Sequence, residues 1–170
     1  MAWTTPSTWV AGAILTAAQL NTQLRDNLAA IGDAWTSWTP TWTNVTVGNG
    51  TQNAGYIAAG KLYIVRFSIV FGSTSSLSGI PEITLPGGVS VRGSGAYEDT
   101  AILGVGGFRS GAGNDYPAGI MRSGSTAARV RFLTYNTAGT YALYDTVSAT
   151  IPFTWGNGAR IGGTFVFEAA

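Results

Sequence analysis

The chain has 170 residues, a formal net charge of +1, 45% hydrophobic residues and only 10% charged residues. This length suits one domain, or one domain with an arm, and the hydrophobic content excludes a disordered chain. The near-zero charge argues against nucleic-acid binding, and the absence of cysteine and histidine removes disulfides, thiolate chemistry and the commonest metal ligand. No apolar run approaches the roughly 18 residues of a membrane span, so no membrane insertion is expected.

Charged side chains are sparse compared with a free protein surface, where roughly a quarter to a third of residues are charged. A chain with so few charges often hides part of its surface in an oligomer. No lysine or arginine precedes Arg25, so the N-terminus lacks the basic region of a signal peptide. We therefore expect synthesis in a cytoplasm.

Residues 1–15 follow neither the period of a strand nor that of a helix. Trp3 and Trp9 lie there among threonine, proline and alanine, which cannot form a core alone. Two tryptophans left in water would expose a large apolar area. We therefore expect an arm that lies on a partner or on a neighbouring copy, with a disordered leader as the alternative.

A helix is predicted immediately after this arm. Thr16 suits the N-cap position, and Gln19 has the spacing of a capping box. Gly32 stands where a left-handed residue commonly ends a helix. A narrow apolar stripe recurs at helical spacing, formed by Leu20, Leu24, Leu28 and Ile31. Since a short isolated helix is marginal in water, this stripe either packs on its own domain or bundles with other copies or a larger assembly.

Five of the six tryptophans lie in the first 42 residues, which places most of the large aromatic surface at the arm and the junction rather than in the rest of the chain. Trp35, Trp38 and Trp42 have helical spacing, but the intervening threonines and Pro40 favour extended chain.

Short strands separated by glycine-rich turns are predicted from residue 41 onward. The expected strands are 41–47, 55–59, 62–71, 83–85, 95–105, 118–122, 128–135, 146–153 and 160–168. Strand 62–71 is apolar on both faces, which is typical of a central strand or a subunit interface. This order predicts an all-β fold, with an antiparallel sandwich or jelly roll at 36–170 preceded by an arm and one short α-helix at 1–35.

Sequence patterns for catalysis are weak throughout the chain. Residues 55–62 have the spacing of a phosphate-binding loop, but Leu62 replaces the required serine or threonine, so a hairpin turn is predicted. The glycine-rich stretches 104–107 and 111–113 are predicted to be turns or bulges. Adjacent Glu98 and Asp99 would point to opposite faces of a strand, unlike the paired carboxylates of a glycosidase. We expect no catalytic residue, metal site or cofactor; a glycan-cleaving enzyme is the alternative and would need a long-range carboxylate pair.

Three stretches together resemble bacteriophage virion proteins of the minor tail, tail-fibre and capsid-associated fibre types. The N-terminal segment of such proteins is similar to Trp9 with residues 15–21 and 24–28. Residues 60–72 leading to 83–86 resemble the central strands of their C-terminal sandwich modules. Their closing strand pair is similar to residues 151–158 with 163–165.

This resemblance implies a homotrimeric jelly roll on the virion surface, with no enzymatic activity. Leu20, Leu24, Leu28 and Ile31 would then form the trimer helix, and Trp3 and Trp9 would dock the arm on capsid or tail proteins. We expect a capsid decoration or head-fibre protein, because the chain is short for a fibre. The alternative is a tail-fibre or tail-tip protein whose distal loops, 73–79 and 106–117, contact a host surface glycan.

Overall fold

The structure, a computed structural model, describes residues 4–32, 35–92, 102–123, 129–136 and 143–170. Its helical part begins with an α-helical turn at Ala17–Leu20, continues through a π-helical stretch at Asn21–Asp26 and ends with an α-helical piece at Asn27–Gly32. We call these three pieces the N-terminal helix. The strands are β1 Thr36–Ser37, β2 Trp42–Thr46, β3 Thr51–Ala59, β4 Leu62–Val70, β5 Ser76–Thr84, β6 Ile102–Arg109, β7 Asp115–Arg122, β8 Arg129–Asn136, β9 Leu143–Thr146 and β10 Arg160–Glu168, with a 3-10 turn at Pro86–Gly88.

All ten strands of these ranges belong to one antiparallel sheet. Their order is β1-β3-β4-β10-β6-β7-β8-β5-β2, and β9 pairs with β8 outside this path. The sheet curls, because β2 at one edge reaches β3 near the other: Nε1 of Trp42 donates a hydrogen bond to Oε1 of Gln52 at 2.9 Å. This curled antiparallel sheet, preceded by one helical segment, confirms the predicted all-β, sandwich-like fold.

Strand β4 is central, as its two-sided apolar sequence predicts. It pairs with β3 on one side and β10 on the other, and the hairpin to β3 turns at Gly60 and Lys61 rather than forming a phosphate-binding loop. One face of β4 is buried in the core and includes Val65 and Ile69. Alternate positions on β10, β7 and β8 also contribute to this core, because successive strand side chains point to opposite faces, and residues of β2, β3, β5 and β6 complete it.

An aromatic cluster centred on Phe67 joins strands from different parts of the curled sheet. The Phe67 ring centroid lies 5.0 Å from that of Phe132 on β8, 6.1 Å from that of Phe165 on β10 and 6.2 Å from that of Trp42 on β2. Trp38 also packs against the core. The interpretation that the N-terminal tryptophans serve the arm and junction is therefore wrong for Trp38 and Trp42, since closing the sheet requires large side chains between its distant strands.

The glycine-rich stretch 104–107 is strand rather than the predicted turn, although a bulge does occur between Ile102 and Gly104. Gly106 lies directly opposite Gly163 of β10, and a Cβ on Gly106 would meet the carbonyl oxygen of Gly162. Glycine therefore permits a close approach of two strands here. The predicted strand 95–105 lies mostly outside the described residues, as do Glu98 and Asp99, and the observed strand runs to Arg109.

Two other strand predictions differ from the structure. Residues 147–153 are not a continuous strand; Ser148 and Ile151 form an isolated bridge, and the strand before them, β9, ends at Thr146. Strand β5 begins at Ser76 rather than residue 83, despite Pro81 within it. Proline is tolerated there because the ladder between β2 and β5 is interrupted: Asn44 of β2 stands opposite four residues of β5, 78–81. Asn44 has a φ of 62° and donates a side-chain hydrogen bond to the carbonyl oxygen of Ile80 at 2.8 Å.

The register of the strands defines two ends of the sheet. At one end, which we call the loop end, Thr51 pairs with Val70, Val70 with Arg160 and Arg160 with Arg109. At the other, which we call the helix end, Ala59 pairs with Leu62. Because β1 is antiparallel to β3, the chain before β1 runs toward the helix end. The N-terminal helix therefore joins the sheet at the end opposite the 110–114 loop.

Candidate functional site

The N-terminal helix begins with the predicted capping box. Oγ1 of Thr16 accepts the backbone N–H of Gln19 at 3.2 Å, and Oε1 of Gln19 accepts the backbone N–H of Thr16 at 2.9 Å. The prediction for Gly32 is wrong: it is the last helical residue, and its φ lies outside the left-handed region. A Cβ there would meet nothing within 4 Å, so this position does not require glycine.

The arm lies along its own helix and is held there by the side chains of two polar helix residues. The sequence pattern did not distinguish these two residues from the other polar residues of the helix. The carboxamide of Asn27, only 4% exposed, accepts the backbone N–H of Thr4 at 2.8 Å and donates to the carbonyl oxygen of Thr4 at 2.9 Å. Oε1 of Gln23 accepts the backbone N–H of Ser7 at 2.7 Å. Asn27 and Gln23 are four residues apart and share one helix face. We call this pair the arm clip.

We expect Asn27→Ala to release the arm from the helix. The change removes both hydrogen bonds to Thr4, and because Thr4 is exposed its backbone groups bind water instead, so the local cost is about 0.5–1.5 kcal/mol for each bond. Amide hydrogen exchange at Thr4 and Ser7 measures this release. In the control Asn21→Ala, which truncates an exposed asparagine of the same helix, exchange at Thr4 and Ser7 should not change. Equal protection in both variants would contradict the role of the clip.

The apolar stripe of the helix faces solvent instead of the sandwich. Leu20 is 40% exposed, Leu24 55% and Leu28 68%. In an α-helix, residues four apart drift by about 40° around the axis. The wider turn of the π-helical stretch Asn21–Asp26 offsets this drift and keeps the three leucines near one line.

The other predicted assembly residues are also exposed or lie outside the described part. Trp9 is 45% exposed, and Val10, Ile14 and Leu15 are exposed as well. The side chain of Ile31 and all of Trp3 lie outside the described residues. Within the described part, the predicted assembly residues of the arm and the helix thus present a solvent-facing apolar surface.

Charged side chains make contacts on the N-terminal helix and at its junction with the sheet. Nε of Arg25 donates to Oδ1 of the neighbouring Asp26 at 2.8 Å, and this hydrogen bond, with the attraction of the carboxylate, raises the pKa of the Arg25 guanidinium. At the junction, the guanidinium carbon of Arg66 on β4 lies 4.2 Å from the ring centroid of Trp35, a cation–π contact. The last piece of the helix also contacts β3.

The predicted distal loops lie together at the loop end, but their bounds differ from the prediction. Residues 76–79 already belong to β5, and the connection between β6 and β7 is only 110–114. The 71–75 turn meets the segment before β10, because the backbone N–H of Phe71 donates to the carbonyl oxygen of Ala159 at 2.8 Å. The 71–75 turn and the segment before β10 therefore lie side by side, joined by a backbone hydrogen bond.

No group of three or more acidic side chains with the geometry of a metal site occurs in the described ranges. Among the helices of the same ranges, none has the length and hydropathy that would let it cross a membrane. Neither finding assigns a chemistry to the chain.

Comparisons with known proteins give no relative. No protein-family model, no curated protein and no solved structure matches the chain.

Proposed function

We propose that the chain is a non-enzymatic structural protein of a bacteriophage particle, a homotrimer anchored by its arm and N-terminal helix, with the sandwich directed outward as a capsid decoration or head-fibre protein. The observation that carries the proposal is the solvent-facing line of Leu20, Leu24 and Leu28. The arm would bind capsid or tail proteins of the particle, through Trp9 and the preceding residues.

The leucine line supports self-association because the sandwich already has a complete core without it. Each leucine would gain about 1.5–3 kcal/mol by moving from water to a fully apolar contact, less the part already buried. A helix of this length gains stability mainly by packing its apolar face. Two further copies of the same helix supply the same apolar line, so we take other copies as the partners.

The outer face of the sheet offers a second surface for the same trimer. Leu62 on β4 and Val166 on β10 are 47% and 43% exposed, and Val105 on β6 is 67% exposed. Ile64 pairs with Val166 across β4 and β10, and Val105 of β6, which is opposite Thr164, lies diagonal to Val166. Apolar side chains therefore occur on the outer face of three neighbouring strands. Burial of these side chains between subunits is compatible with the low charge of the chain.

We expect the double variant Leu24→Asp, Leu28→Asp to weaken the trimer by at least roughly a hundredfold. Two carboxylates in each helix would be buried against apolar side chains, which costs several kcal/mol. Analytical ultracentrifugation over a concentration series measures the mass, and circular dichroism checks that the sandwich stays folded.

The matched control adds the same charges on the other side of the helix, as Ala18→Asp with Thr22→Asp. Both residues are exposed, and each lies two residues, roughly half a turn, from a leucine of the line. The control should keep the mass of the parent chain. A monomeric parent, or a trimer unchanged by the leucine variants, would contradict the helix bundle. Antibody labelling of purified phage in electron micrographs tests the particle location, and unlabelled particles would contradict it.

A second candidate function is host attachment by a tail-fibre or tail-tip protein. The observation that favours it is the grouping of the 71–75 turn, the 110–114 loop and the 154–159 segment at the sheet end opposite the N-terminal helix. A protein anchored through its helix would present this end to its surroundings, and surface loops are where binding residues concentrate.

A further inference from the structure

A depression of about 340 Å³ opens at the loop end, between the 110–114 loop and the 153–157 segment. This volume is at the lower end of the roughly 300–1,000 Å³ of small-molecule sites. The side chains of six residues line it, together with short glycine and alanine positions: Ser110, Asn114, Tyr116, Phe153, Thr154 and Asn157. We call it the loop-end pocket.

The pocket has an aromatic wall that packs against the buried Trp155. The ring centroids of Tyr116 and Phe153 lie 5.1 Å apart, and that of Phe153 lies 4.4 Å from the buried Trp155. Trp155 in turn packs against Phe71 and Phe108 of the core. Tyr116 and Phe153 themselves are only half-buried, so part of each ring remains open to a ligand.

Polar side chains surround this wall and remain available for hydrogen bonds. Within the described part of the chain, the carboxamides of Asn114 and Asn157 and the hydroxyl of Thr154 have no side-chain hydrogen bond, and all three residues are exposed. Each carboxamide offers two donors and an acceptor. Ser110 closes the loop beneath them, because its Oγ accepts the backbone N–H of Asn114 at 3.1 Å.

The pocket carries no formal charge on its described lining residues. On the adjoining strands, Arg109 and Asp115 lie 3.7 Å apart and offset each other, and Arg160 of β10, which pairs with Arg109, adds one positive charge outside the lining. An acidic or basic ligand would thus find no opposite charge in the lining. A ligand with apolar ring faces and many uncharged hydroxyls fits both the aromatic wall and the carboxamides.

We infer that the loop-end pocket binds a neutral saccharide, with a sugar face on Tyr116 and Phe153 and hydroxyls hydrogen-bonded to Asn114, Thr154 and Asn157. This inference names a ligand class for the second candidate function, host attachment, and its biological meaning rests on that function. It does not depend on the trimer or on attachment to a particle.

The test is binding of the purified full chain to an array of immobilised glycans. The neutral set contains hexose, deoxyhexose and N-acetylhexosamine oligosaccharides, and the acidic set contains sialylated and uronic-acid glycans. We expect retention on neutral glycans, and a roughly tenfold or greater loss of affinity in Asn157→Ala and in Tyr116→Ala. Asn157 lies in an exposed turn, so its truncation leaves the core intact even if the Tyr116 variant folds poorly.

The matched control is Asn21→Ala, an exposed carboxamide on the N-terminal helix, which should bind as the parent does. Tyr116→Phe should also bind, because the ring remains. Silence on every neutral glycan, binding to acidic glycans only, or neutral binding unaffected by Asn157→Ala would each overturn the inference. None of these outcomes changes the sedimentation test of the trimer, so the two proposals fail separately.

Discussion

Replacing Gly106 by alanine is expected to lower the free energy of unfolding by about 2–3 kcal/mol, or to prevent folding altogether. Gly106 on β6 faces Gly163 on β10, and a Cβ at position 106 would meet the carbonyl oxygen of Gly162. That oxygen belongs to the backbone, so the clash is relieved only if the two strands move apart. Urea unfolding followed by tryptophan fluorescence measures the change.

The neighbouring residue supplies the control. Gly107 lies on the same strand and is exposed, and the nearest atom to a Cβ there is the carbonyl oxygen of Tyr116 at 3.5 Å, an ordinary contact. Gly107→Ala should leave stability unchanged or raise it by up to about 1 kcal/mol, because alanine reduces the entropy of the unfolded chain. Equal destabilisation by both variants would contradict the explanation by close approach.

Truncating the centre of the aromatic cluster is expected to have an effect of similar or larger size. Phe67 is 5% exposed and packs against Phe132, Phe165 and Trp42 on three other strands. Phe67→Ala removes these contacts and leaves a cavity, which typically costs about 3–5 kcal/mol. Because the cluster closes the curled sheet, we also expect faster hydrogen exchange in β2 at its edge.

The control for this variant is Leu62→Ala on the same strand. Leu62 is 47% exposed and lies on the outer face, so its truncation should cost less than about 1 kcal/mol in the monomer. Denaturant unfolding at a concentration where the chain is monomeric compares the two variants. A small loss for Phe67→Ala would mean that the sheet is held by its hydrogen-bonded ladders rather than by this cluster.

The sequence alone predicted the elements whose signals are local. Strand β10 spans 160–168 as expected, and β4 follows the alternation from residue 62 with the turn at Gly60 and Lys61. The capping box at Thr16 and Gln19 also forms as predicted, because its partners are three residues apart. In each case the pattern and the structure depend on the same few neighbouring residues.

Elements held by distant partners were mispredicted. Glycines in β6 have low strand propensity, yet they form a strand because β10 and β7 pair with both of its edges. Pro81 argues against a strand in the sequence, yet it lies within β5, because residues 78–81 form the irregular part of β5 opposite Asn44 of β2. Phe153 lies at the end of the predicted strand 146–153, but in the structure it stacks on Trp155, which packs against Phe108 of the core.

The same distinction between local and distant signals applies to the N-terminal helix with its arm and to the loop-end pocket. The leucine line was visible in the sequence as a periodic pattern, and its trimeric partners remain a prediction. The arm clip was not visible, because a buried Asn27 and a surface asparagine have the same place in a helical pattern. The loop-end pocket combines residues about 40 positions apart, Asn114 with Asn157, and only the pairing of β6, β7 and β10 brings them together.

The amino-acid sequence by itself thus determined the fold class, the capped helix with its apolar line, and the strands with clear alternation, since these depend on composition and short-range periodicity. The tertiary structure decided that the leucine line faces solvent, that the arm lies on its own helix, and that an uncharged aromatic pocket lies at the opposite end. The physical reason is that burial and hydrogen-bond partners of a side chain depend on which distant strands the curled sheet brings beside it.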